Sequence, residues 1–501
     1  MGAKNYSEKH DSLWNSLSFI VISLLSLLNF TLNVKTYGFS LFGVYILISS
    51  LFNLGTSLDF GFGVSTVKII SESKLENYRN INEIFSSFFS AYLFLALIIF
   101  LAYEIYFVLF FKNMLPYELL SLELNYSLFF QLLNISFLFR YITNFLNKVF
   151  EGLKEYVFLS KINIGFNIAY TICIVLNYFL KVDISNFVIF MAGINVVLFF
   201  ILSISLAAKF KIYPQLKFFD FKIIKANLSY NLNLQFSFFI NSFIDPIIKF
   251  LIAHFLSLNF VTYFETSKKI IDLSNGLIFS AQKNLLNNLS EAKYLGKLKE
   301  YINNNLYKYA RLSNNYSLVI YGILNPAIFT FMYFWFNPQS ALIYLMFTLS
   351  YSMINFGGCK YLVLMIDSNG KYLLLIQSMN LATISIFVYI GLLYFKSYLG
   401  LLSFIIPTLI SIFIILSIIK KRYSVNIREY FHKTNSSKIF ILDLLLFVEI
   451  LFLIFSPQYT FYILGISFCL FFALFFKSLQ EPFNMLKTFL NVKNINSNTV
   501  V

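Results

Sequence analysis

Apolar runs of about 20 residues, the length of helix that crosses a lipid bilayer, alternate with short polar breaks along the chain. The runs are continuous and do not alternate with period two, as the strands of a membrane barrel do. The pattern therefore predicts an all-α membrane protein. The fourteen predicted spans are 12–34, 39–62, 84–111, 124–147, 156–180, 184–208, 230–255, 260–287, 312–336, 339–365, 370–395, 399–419, 438–456 and 459–476.

Composition supports this class. Of the 501 residues, 58% are hydrophobic and only 12% are charged, with 64 Phe and a mean hydropathy of +0.74. That is too little polar material to cover a soluble globule of this length. Residues 1–11 are polar, and the run that follows is too long for the apolar core of a cleaved signal, so we expect the first span to be retained.

The distribution of Lys and Arg predicts the orientation. Of 38 such residues, 29 lie in or beside the N-terminal segment, every second loop and the C-terminal tail, whereas the intervening loops hold only four. Cytoplasmic loops accumulate Lys and Arg, so both termini are expected in the cytoplasm. The net charge of +15 then reflects topology and contact with anionic membrane lipids and requires no nucleic-acid partner.

Two amphipathic segments, 64–84 and 284–311, follow the second and eighth spans. Their matching positions indicate an internal repeat of six spans. The predicted organisation is a cytoplasmic N-terminus (1–11), an N-lobe (12–208), a cytoplasmic linker (209–229), a C-lobe (230–419), a cytoplasmic loop (420–437), two further spans (438–476) and a cytoplasmic tail (477–501).

Several kinds of chemistry are not indicated. The three Cys fall in different spans and the three His are scattered, so neither a metal site nor a cofactor is predicted. The sequence has no Walker loop and no GxSxG elbow. The predicted outer loops are too short for a catalytic domain, which argues against an enzyme such as a membrane polysaccharide polymerase or ligase.

Two stretches resemble a known transporter family. They are FGVYILISSLFNLGTSLDFGFGVSTVKIISE (42–72) and NSFIDPIIKFLIAHFLSLNFVTYFETSKKI (241–270). Both are similar to the polysaccharide transporter family, the Wzx-like flippases of lipid-linked oligosaccharides in the multidrug/oligosaccharidyl-lipid/polysaccharide (MOP) superfamily. The residues that match its second-span motifs are Gly43, Tyr45, Leu58, Asp59, Phe60, Gly61, Gly63 and Lys68.

This resemblance implies a V-shaped bundle of two pseudo-symmetric six-helix lobes, with two additional C-terminal helices here, that works by alternating access. It further implies a substrate, undecaprenyl-pyrophosphate-linked oligosaccharide, carried across the inner membrane for O-antigen, lipopolysaccharide, capsule or related polysaccharide biosynthesis. Polysaccharide polymerase machinery is a candidate partner.

Spans 7 and 8 carry six charged residues that we expect to lie together. Antiparallel packing about a short turn near residue 258 puts Asp245 level with Lys269 and Lys249 level with Glu265, while the spacing of Glu265, Lys268, Lys269 and Asp272 places them on one helix face. The cluster is either a salt-bridge ladder within the lobe or a cavity face whose pairs open for substrate or a coupling ion.

Spans 4 and 5 carry two cations, Arg140 and Lys161, and no intramembrane carboxylate. The nearest candidate counter-ion is Asp59, at the end of the second span. One carboxylate beside two cations would leave a net positive charge. A lipid pyrophosphate would neutralise it, because Arg presents a fork of donors suited to phosphate oxygens. Alternatively, Arg140 or Lys161 extends to the interface, and Asp59 with Gly61 and Gly63 merely shapes a helix end.

A cation-coupled multidrug exporter of the same superfamily is the competing function. Such a protein is expected to place carboxylates at its cavity without unpaired cations, in contrast to spans 4 and 5. The sequence therefore favours the flippase.

Overall fold

The structure, a computed structural model, describes residues 2–56, 58, 63, 66–67, 69–70, 81–111, 126–181, 183–215, 220–222, 232–294, 296–367, 371–423 and 425–476. All the regular secondary structure in these residues is helical. The helices form two compact units, Met1–Thr262 and Tyr263–Val501.

Seven helices with bounds inside the described residues begin in the first unit, and the last of them continues into the second. They are α1 (Gly2–Thr56), α2 (Ile81–Tyr106), α3 (Tyr126–Gly152), α4 (Tyr156–Leu180), α5 (Ile184–Phe210), α6 (Leu232–Phe255) and α7 (Leu258–Tyr294). A π-helical segment, Phe107–Phe111, extends α2.

Eight more helices complete the described part of the second unit. They are α8 (Leu298–Ser317), α9 (Asn325–Trp335), α10 (Pro338–Asp367), α11 (Lys371–Phe395), α12 (Ile405–Tyr423), α13 (Ile427–Lys433), α14 (Ser436–Phe455) and α15 (Thr460–Phe475). The π-helical segment Leu318–Ile323 extends α8, and 3₁₀ segments, Tyr398–Phe404 and Pro457–Tyr459, precede α12 and α15.

The helices occupy the predicted spans. Nearly all the described residues of the predicted spans lie on one of these helices or on its π or 3₁₀ extension; the exceptions within the spans include Leu58, Leu324, Phe336 and Ser456. Eight helices of the described chain are long and apolar enough to cross a membrane, and a ninth crossing results if the bent pair Leu298–Ile323 and Asn325–Trp335 is one span. The all-α integral-membrane fold with about fourteen spans is therefore confirmed.

The first two predicted spans are two helical segments of α1 that meet at a kink on a single glycine. Gly38 has φ 74° and ψ 170° inside α1, a conformation that a side chain would strain. The predicted break between the two spans is thus a single residue, and the chain changes direction there without a loop.

Prolines bend some helices and leave others continuous. The bend of 45° between α8 and α9 lies just before Pro326, at the start of α9. By contrast α6 continues through Pro246, a residue that often breaks or kinks a helix. One lost backbone hydrogen bond does not end a helix whose flanking turns are intact.

The predicted amphipathic segment 284–311 is helical in its described parts. On α8 the apolar side chains at four-residue spacing, Ile302, Leu306 and Ala310, are buried, while Asn303, Asn304 and Lys308 are exposed. This helix packs on α10 and continues directly into the next span. Of the matching segment 64–84, most residues lie outside the described chain.

Candidate functional site

A stripe of polar side chains follows one face of α3 in the first unit. Arg140, Asn144 and Lys148 recur at four-residue intervals, with Asn147 and Glu151 beside them toward the end of the helix. Residues four apart share a helix face, and all five are exposed or half-buried. We call these five residues the polar stripe.

An adjoining face of α3 is fixed by aromatic packing. Phe137 stacks with Phe52 of α1 at 5.9 Å between ring centroids, and Phe145 packs on Tyr92 of α2 at 4.6 Å. Phe137 and Phe145 are 3% and 0% exposed. Because these rings fix the rotation of α3, they also fix the direction in which the polar stripe faces.

Arg140 lies near the middle of α3 and has an amide as its hydrogen-bond partner. Its Nη1 donates to Oδ1 of Asn53 on α1 at 3.4 Å. It is also close enough to the phenols of Tyr45 on α1 and Tyr170 on α4 to interact with both electrostatically. Within the described residues no carboxylate lies within ion-pair distance of Arg140, and the predicted counter-ion Asp59 is outside them.

A polar cavity of about 330 Å³ opens at the Gly152 end of the stripe. Its lining residues come from three helices of the first unit and are Thr56, Tyr92, Tyr141, Asn144, Asn147, Lys148 and Glu151. Lys148 and Glu151 form an ion pair of 2.8 Å at its edge. Hydroxyl, amide, ammonium and carboxylate groups thus converge on one water-accessible volume, which suits a polar head group and not an apolar one.

The end of α1 beside this cavity is held by a tyrosine of α2. The Tyr103 hydroxyl donates to the carbonyl of Leu51 at 2.6 Å and accepts the backbone N–H of Gly55 at 2.9 Å. A Cβ on Gly55 would lie 2.7 Å from the Phe137 ring, so the close approach requires glycine there. These contacts set the position of Asn53 and Thr56.

The Gly43 and Tyr45 motif has two separate roles in the structure. A Cβ on Gly43 would lie 2.3 Å from the carbonyl oxygen of Leu258, so only glycine allows α1 to cross the start of α7 this closely. Thr262 strengthens the crossing by donating its hydroxyl to the carbonyl of Phe39 at 2.6 Å. Tyr45, two residues on, is the ring that neighbours Arg140.

The other motif residues are only partly described. Gly63 is buried and Leu58 accepts a hydrogen bond of 3.0 Å from the Tyr141 hydroxyl through its carbonyl. The rest of the motif lies outside the described residues, namely Asp59, Phe60, Gly61 and Lys68.

Lys161, the second predicted cation, is exposed in the second turn of α4. That Lys161 and Arg140 act on one anionic ligand stays a prediction. Asn167 of the same helix is bonded to the backbone of Asn163 at 2.8 Å, so that amide is used within α4.

Within α6 and within α7, charges of the second predicted cluster pair along one helix. Lys249, which is 3% exposed, contacts Asp245 at 2.7 Å on α6, and Lys268 contacts Asp272 at 3.3 Å on α7. Both pairs have i, i+4 spacing, which brings side chains together on a helix. Glu265 and Lys269 are half-buried, and the expected pairing between the two spans stays a prediction.

Sequence reasoning missed most of the cavity. It assigned Lys148 to a basic loop and did not weigh Asn53, Asn147 or Glu151. The available signal was spacing, because Arg140, Asn144 and Lys148 recur every four residues, although Lys148 lies one residue beyond the predicted span 124–147.

Metal binding has no evident site in the described chain. No group of three or more His, Cys, Asp or Glu side chains converges within the residues that the structure describes.

Comparison by sequence finds no relatives. No protein-family model matches the chain, and no curated protein matches it.

Solved structures do match. The lipid II flippase MurJ, in an inward closed conformation, is 16% identical with a TM-score of 0.65, covering 93% of this chain and 99% of that one. An inward-facing multidrug resistance MATE family transporter of the MOP superfamily is 14% identical with a TM-score of 0.61, covering 81% of this chain and 98% of that one. A mutant form of the Vibrio cholerae MATE transporter VcmN is 13% identical with a TM-score of 0.55, covering 85% of this chain and 100% of that one.

At these identities the likeness concerns the fold. The helices described above and the near-complete coverage of each matched structure agree with it. The chain has the fold of the MOP-superfamily transporters.

Proposed function

We propose that the protein is a flippase that moves a prenyl-pyrophosphate-linked oligosaccharide from the inner to the outer leaflet of the cytoplasmic membrane. The substrate class is undecaprenyl-pyrophosphate-linked glycan for O-antigen, capsule or a related polysaccharide. Both termini face the cytoplasm in this proposal, and the cycle is alternating access. The protein performs transport and no covalent chemistry.

The environment of Arg140 is the observation that carries the proposal. A cation near the middle of a membrane helix costs about 2.5 to 3.5 kcal/mol on insertion scales, so such residues are usually functional. Among the described residues, its hydrogen-bond partner is the neutral amide of Asn53. A group that is costly to insert and has no described carboxylate within reach is suited to an anionic ligand.

The chemistry of the surrounding side chains fits a pyrophosphate. The guanidinium of Arg140 offers two parallel N–H groups to phosphate oxygens. Asn53 and Asn144 supply amide donors, and the nearby phenol of Tyr45 can donate a hydrogen bond as well. We include Lys161 as the second cation of the site. The glycan would extend toward the cavity lined by Lys148 and Glu151, while the prenyl chain stays in lipid.

Coverage of the matched structures supports a lipid-linked substrate. The structure of MurJ, named as a lipid II flippase, matches 93% of this chain, whereas the two MATE structures match 81% and 85%. More of this chain therefore has a counterpart in the lipid flippase than in these two MATE transporters.

The residues of α6 and α7 have a supporting place in the proposal. Asp245, Lys249, Glu265, Lys268, Lys269 and Asp272 are candidates for a cavity face or for ion coupling. The buried pair of Lys249 and Asp245 is equally suited to a structural role, because a buried cation is stable only when it is paired.

A multidrug exporter is the second candidate, favoured by the MATE structures among the fold matches. It predicts a cationic or amphipathic drug as substrate, for which Arg140 would be repulsive. Deleting the gene would then raise drug susceptibility and leave surface polysaccharide intact.

The deciding experiment is depletion of the protein in its own host. The flippase proposal predicts loss of a surface polysaccharide, accumulation of lipid-linked glycan on the cytoplasmic leaflet and unchanged drug susceptibility. Complementation with the wild-type gene should restore the polysaccharide. Normal polysaccharide together with drug hypersensitivity would instead establish the exporter.

A further inference from the structure

Two carboxyl side chains are buried within the membrane helix α14 of the second unit. Asp443 is 7% exposed and Glu449 is 3% exposed. They lie on the buried face of the helix, with Ile439, Leu442, Leu446, Ile450 and Leu453. The exposed face is apolar and carries Phe440, Leu444, Phe447 and Phe452. Both acids therefore point into the protein and not toward lipid.

A file of hydroxyl side chains faces them from α10. Ser340, Tyr344, Thr348 and Ser352 recur at four-residue intervals, and each is fully buried. Four-residue spacing keeps them along one side of the helix, over a rise of about 18 Å. Hydroxyls at every turn of a buried helix face form a continuous polar line through an otherwise apolar interior.

The contacts place the two acids along this file. The Ser352 hydroxyl donates to Oδ1 of Asp443, and the phenol of Tyr344 interacts electrostatically with Glu449. Tyr344 lies eight residues before Ser352 on α10, whereas Glu449 lies six residues after Asp443 on α14. The two helices are therefore antiparallel neighbours. We call Ser340, Tyr344, Thr348, Ser352, Asp443 and Glu449 the acid seam.

Several polar groups of the acid seam are not fully hydrogen-bonded. Among the described residues, both carboxyl oxygens of Glu449 and the hydroxyls of Tyr344 and Ser340 are buried without a hydrogen-bond partner of normal geometry. Buried polar groups are rarely left unsatisfied. A bound proton satisfies part of this capacity because a protonated carboxyl becomes a donor.

Among the described side chains of the helices packed on α14, no Lys or Arg pairs with the acids. In the described chain, α15 presents Ser467 to Glu449, and α8 contributes Asn314, which bonds Ser436 at the start of α14. From α13, Lys433 pairs with Glu429. Lys438 of α14 itself is about 7 Å from Asp443 along the helix axis, and no ion pair joins either acid to a Lys or Arg of the described residues.

Burial without a counter-charge decides the protonation state. An ionised carboxylate removed from water carries a desolvation penalty of several kcal/mol, whereas the neutral acid does not. A metal cation is a poor alternative, because it requires several convergent ligands and the described residues hold no such cluster of acids, His or Cys. The ligand that fits both carboxyls is the proton.

The two acids lie at different depths along α14. Asp443 lies about 10 Å and Glu449 about 20 Å from the first residue of α14, measured along the helix, so about 9 Å separates them, in a hydrocarbon core about 30 Å thick. The buried hydroxyl side chains of Tyr344, Thr348 and Ser352 lie along α10 beside this interval. Two carboxyl groups in this position can take up protons within the membrane.

We propose that the acid seam between α10 and α14 is a proton-binding site, and that proton uptake by Asp443 and Glu449 makes the second unit responsive to the proton gradient. The site involves neither Arg140 nor the lipid-linked substrate. It stands independently of the proposed function.

Infrared difference spectroscopy on the purified protein in lipid tests proton binding directly. A protonated carboxyl has a carbonyl stretch in a spectral region that other protein groups leave empty. We expect the wild type to show two such bands at neutral pH, with Asp443→Asn and Glu449→Gln each removing one. Glu429→Gln, at an exposed ion pair of α13, is the matched control and should remove none.

A pH jump applied to proteoliposomes on a solid-supported membrane tests the response to protons. The wild type should give a transient charge displacement in the absence of any substrate and without Na⁺. The double variant D443N/E449Q should abolish it, and E429Q should retain it. Amides replace neutral acids with nearly the same shape, so we expect normal yield and thermal stability from each variant.

Three results would overturn the proposal. One is a wild-type spectrum without protonated carboxyl bands at neutral pH, which needs no variant to interpret. Another is a full pH-jump signal from the double variant. The third is a signal that appears only with Na⁺, which would identify the acid seam as a metal-cation site.

Discussion

Substitution of Arg140 by Gln gives the most informative perturbation of the proposed head-group site. The change removes one positive charge and keeps a polar, hydrogen-bonding side chain. Arg140 is the fifteenth of the 27 residues of α3, so the charge is taken from the middle of the helix.

The effect on folding should be small. Arg140 is exposed and its bond to Asn53 is long, at 3.4 Å, so the lost interaction is worth at most about 1 kcal/mol. Removing a cation from the centre of a membrane helix also relieves an insertion cost of about 2.5 to 3.5 kcal/mol. We therefore expect normal membrane abundance and an unchanged or slightly raised Tm.

The effect on ligand binding should be large. A hydrogen bond to a charged group contributes about 1.5 to 3 kcal/mol, and about 1.4 kcal/mol corresponds to tenfold in affinity. Arg140→Gln should therefore weaken binding of a prenyl pyrophosphate by about 10- to 150-fold. Arg140→Lys retains the charge without the planar fork, so it should fall between the wild type and Gln.

The assay is equilibrium binding of a short-chain prenyl pyrophosphate to purified protein, with Tm measured on the same samples. Lys209→Gln is the matched control, because it removes an exposed cation that pairs with Glu155 at 2.7 Å outside the site. Wild-type affinity in Arg140→Gln, or an equal loss in Lys209→Gln, would refute the assignment of Arg140.

Four further substitutions test the packing around the site and the ion pairs of α6 and α7. Gly43→Ala forces a Cβ to within 2.3 Å of the Leu258 carbonyl and should destabilise the protein by about 1 to 3 kcal/mol, seen as a lower Tm. Lys249→Met breaks an ion pair whose Lys is 3% exposed and should lower the free energy of unfolding by about 3 kcal/mol. Lys268→Met breaks a partly exposed pair and should lower it by less than about 1 kcal/mol. Tyr103→Phe removes the hydroxyl that holds the end of α1 and should cost about 1 to 3 kcal/mol and reduce ligand affinity at Arg140.

Matched controls separate these effects from general damage. Gly165→Ala, where a Cβ meets nothing within 4 Å, should be neutral or stabilising by up to about 1 kcal/mol. Tyr462→Phe removes a hydroxyl from a residue that is 75% exposed and should have no effect. Equal Tm values for Gly43→Ala and Gly165→Ala would show that the crossing of α1 and α7 tolerates a side chain.

The helices could be predicted because the signals for them are local. Span 5, for example, was expected at 156–180, and α4 is Tyr156–Leu180. Each membrane helix satisfies its own backbone, so length and apolarity suffice to locate it. The bend at Gly38 was less accessible, since the same glycine would also suit an ordinary loop.

The sites depend on which faces meet, and the sequence contains that information only weakly. The role of Arg140 could be proposed from the sequence because a charge within an apolar run is conspicuous. The cavity at Lys148 and Glu151 could not, because those residues lie at a helix end where charges are common. Asp443 and Glu449 lie in one of the two further C-terminal spans and were not considered. The sequence nevertheless places them on one helix face with Leu442, Leu446 and Ile450.

Translocation in proteoliposomes tests the central claim most directly. Purified protein would be reconstituted with a prenyl-pyrophosphate-linked oligosaccharide carrying a labelled glycan, and exposure of the glycan on the opposite leaflet would be followed over time. The account predicts protein-dependent translocation that Arg140→Gln slows by about 10- to 150-fold, from the loss of about 1.5 to 3 kcal/mol of binding, and that Lys209→Gln leaves intact. Translocation at the same rate with Arg140→Gln, or no translocation by the wild type, would contradict it.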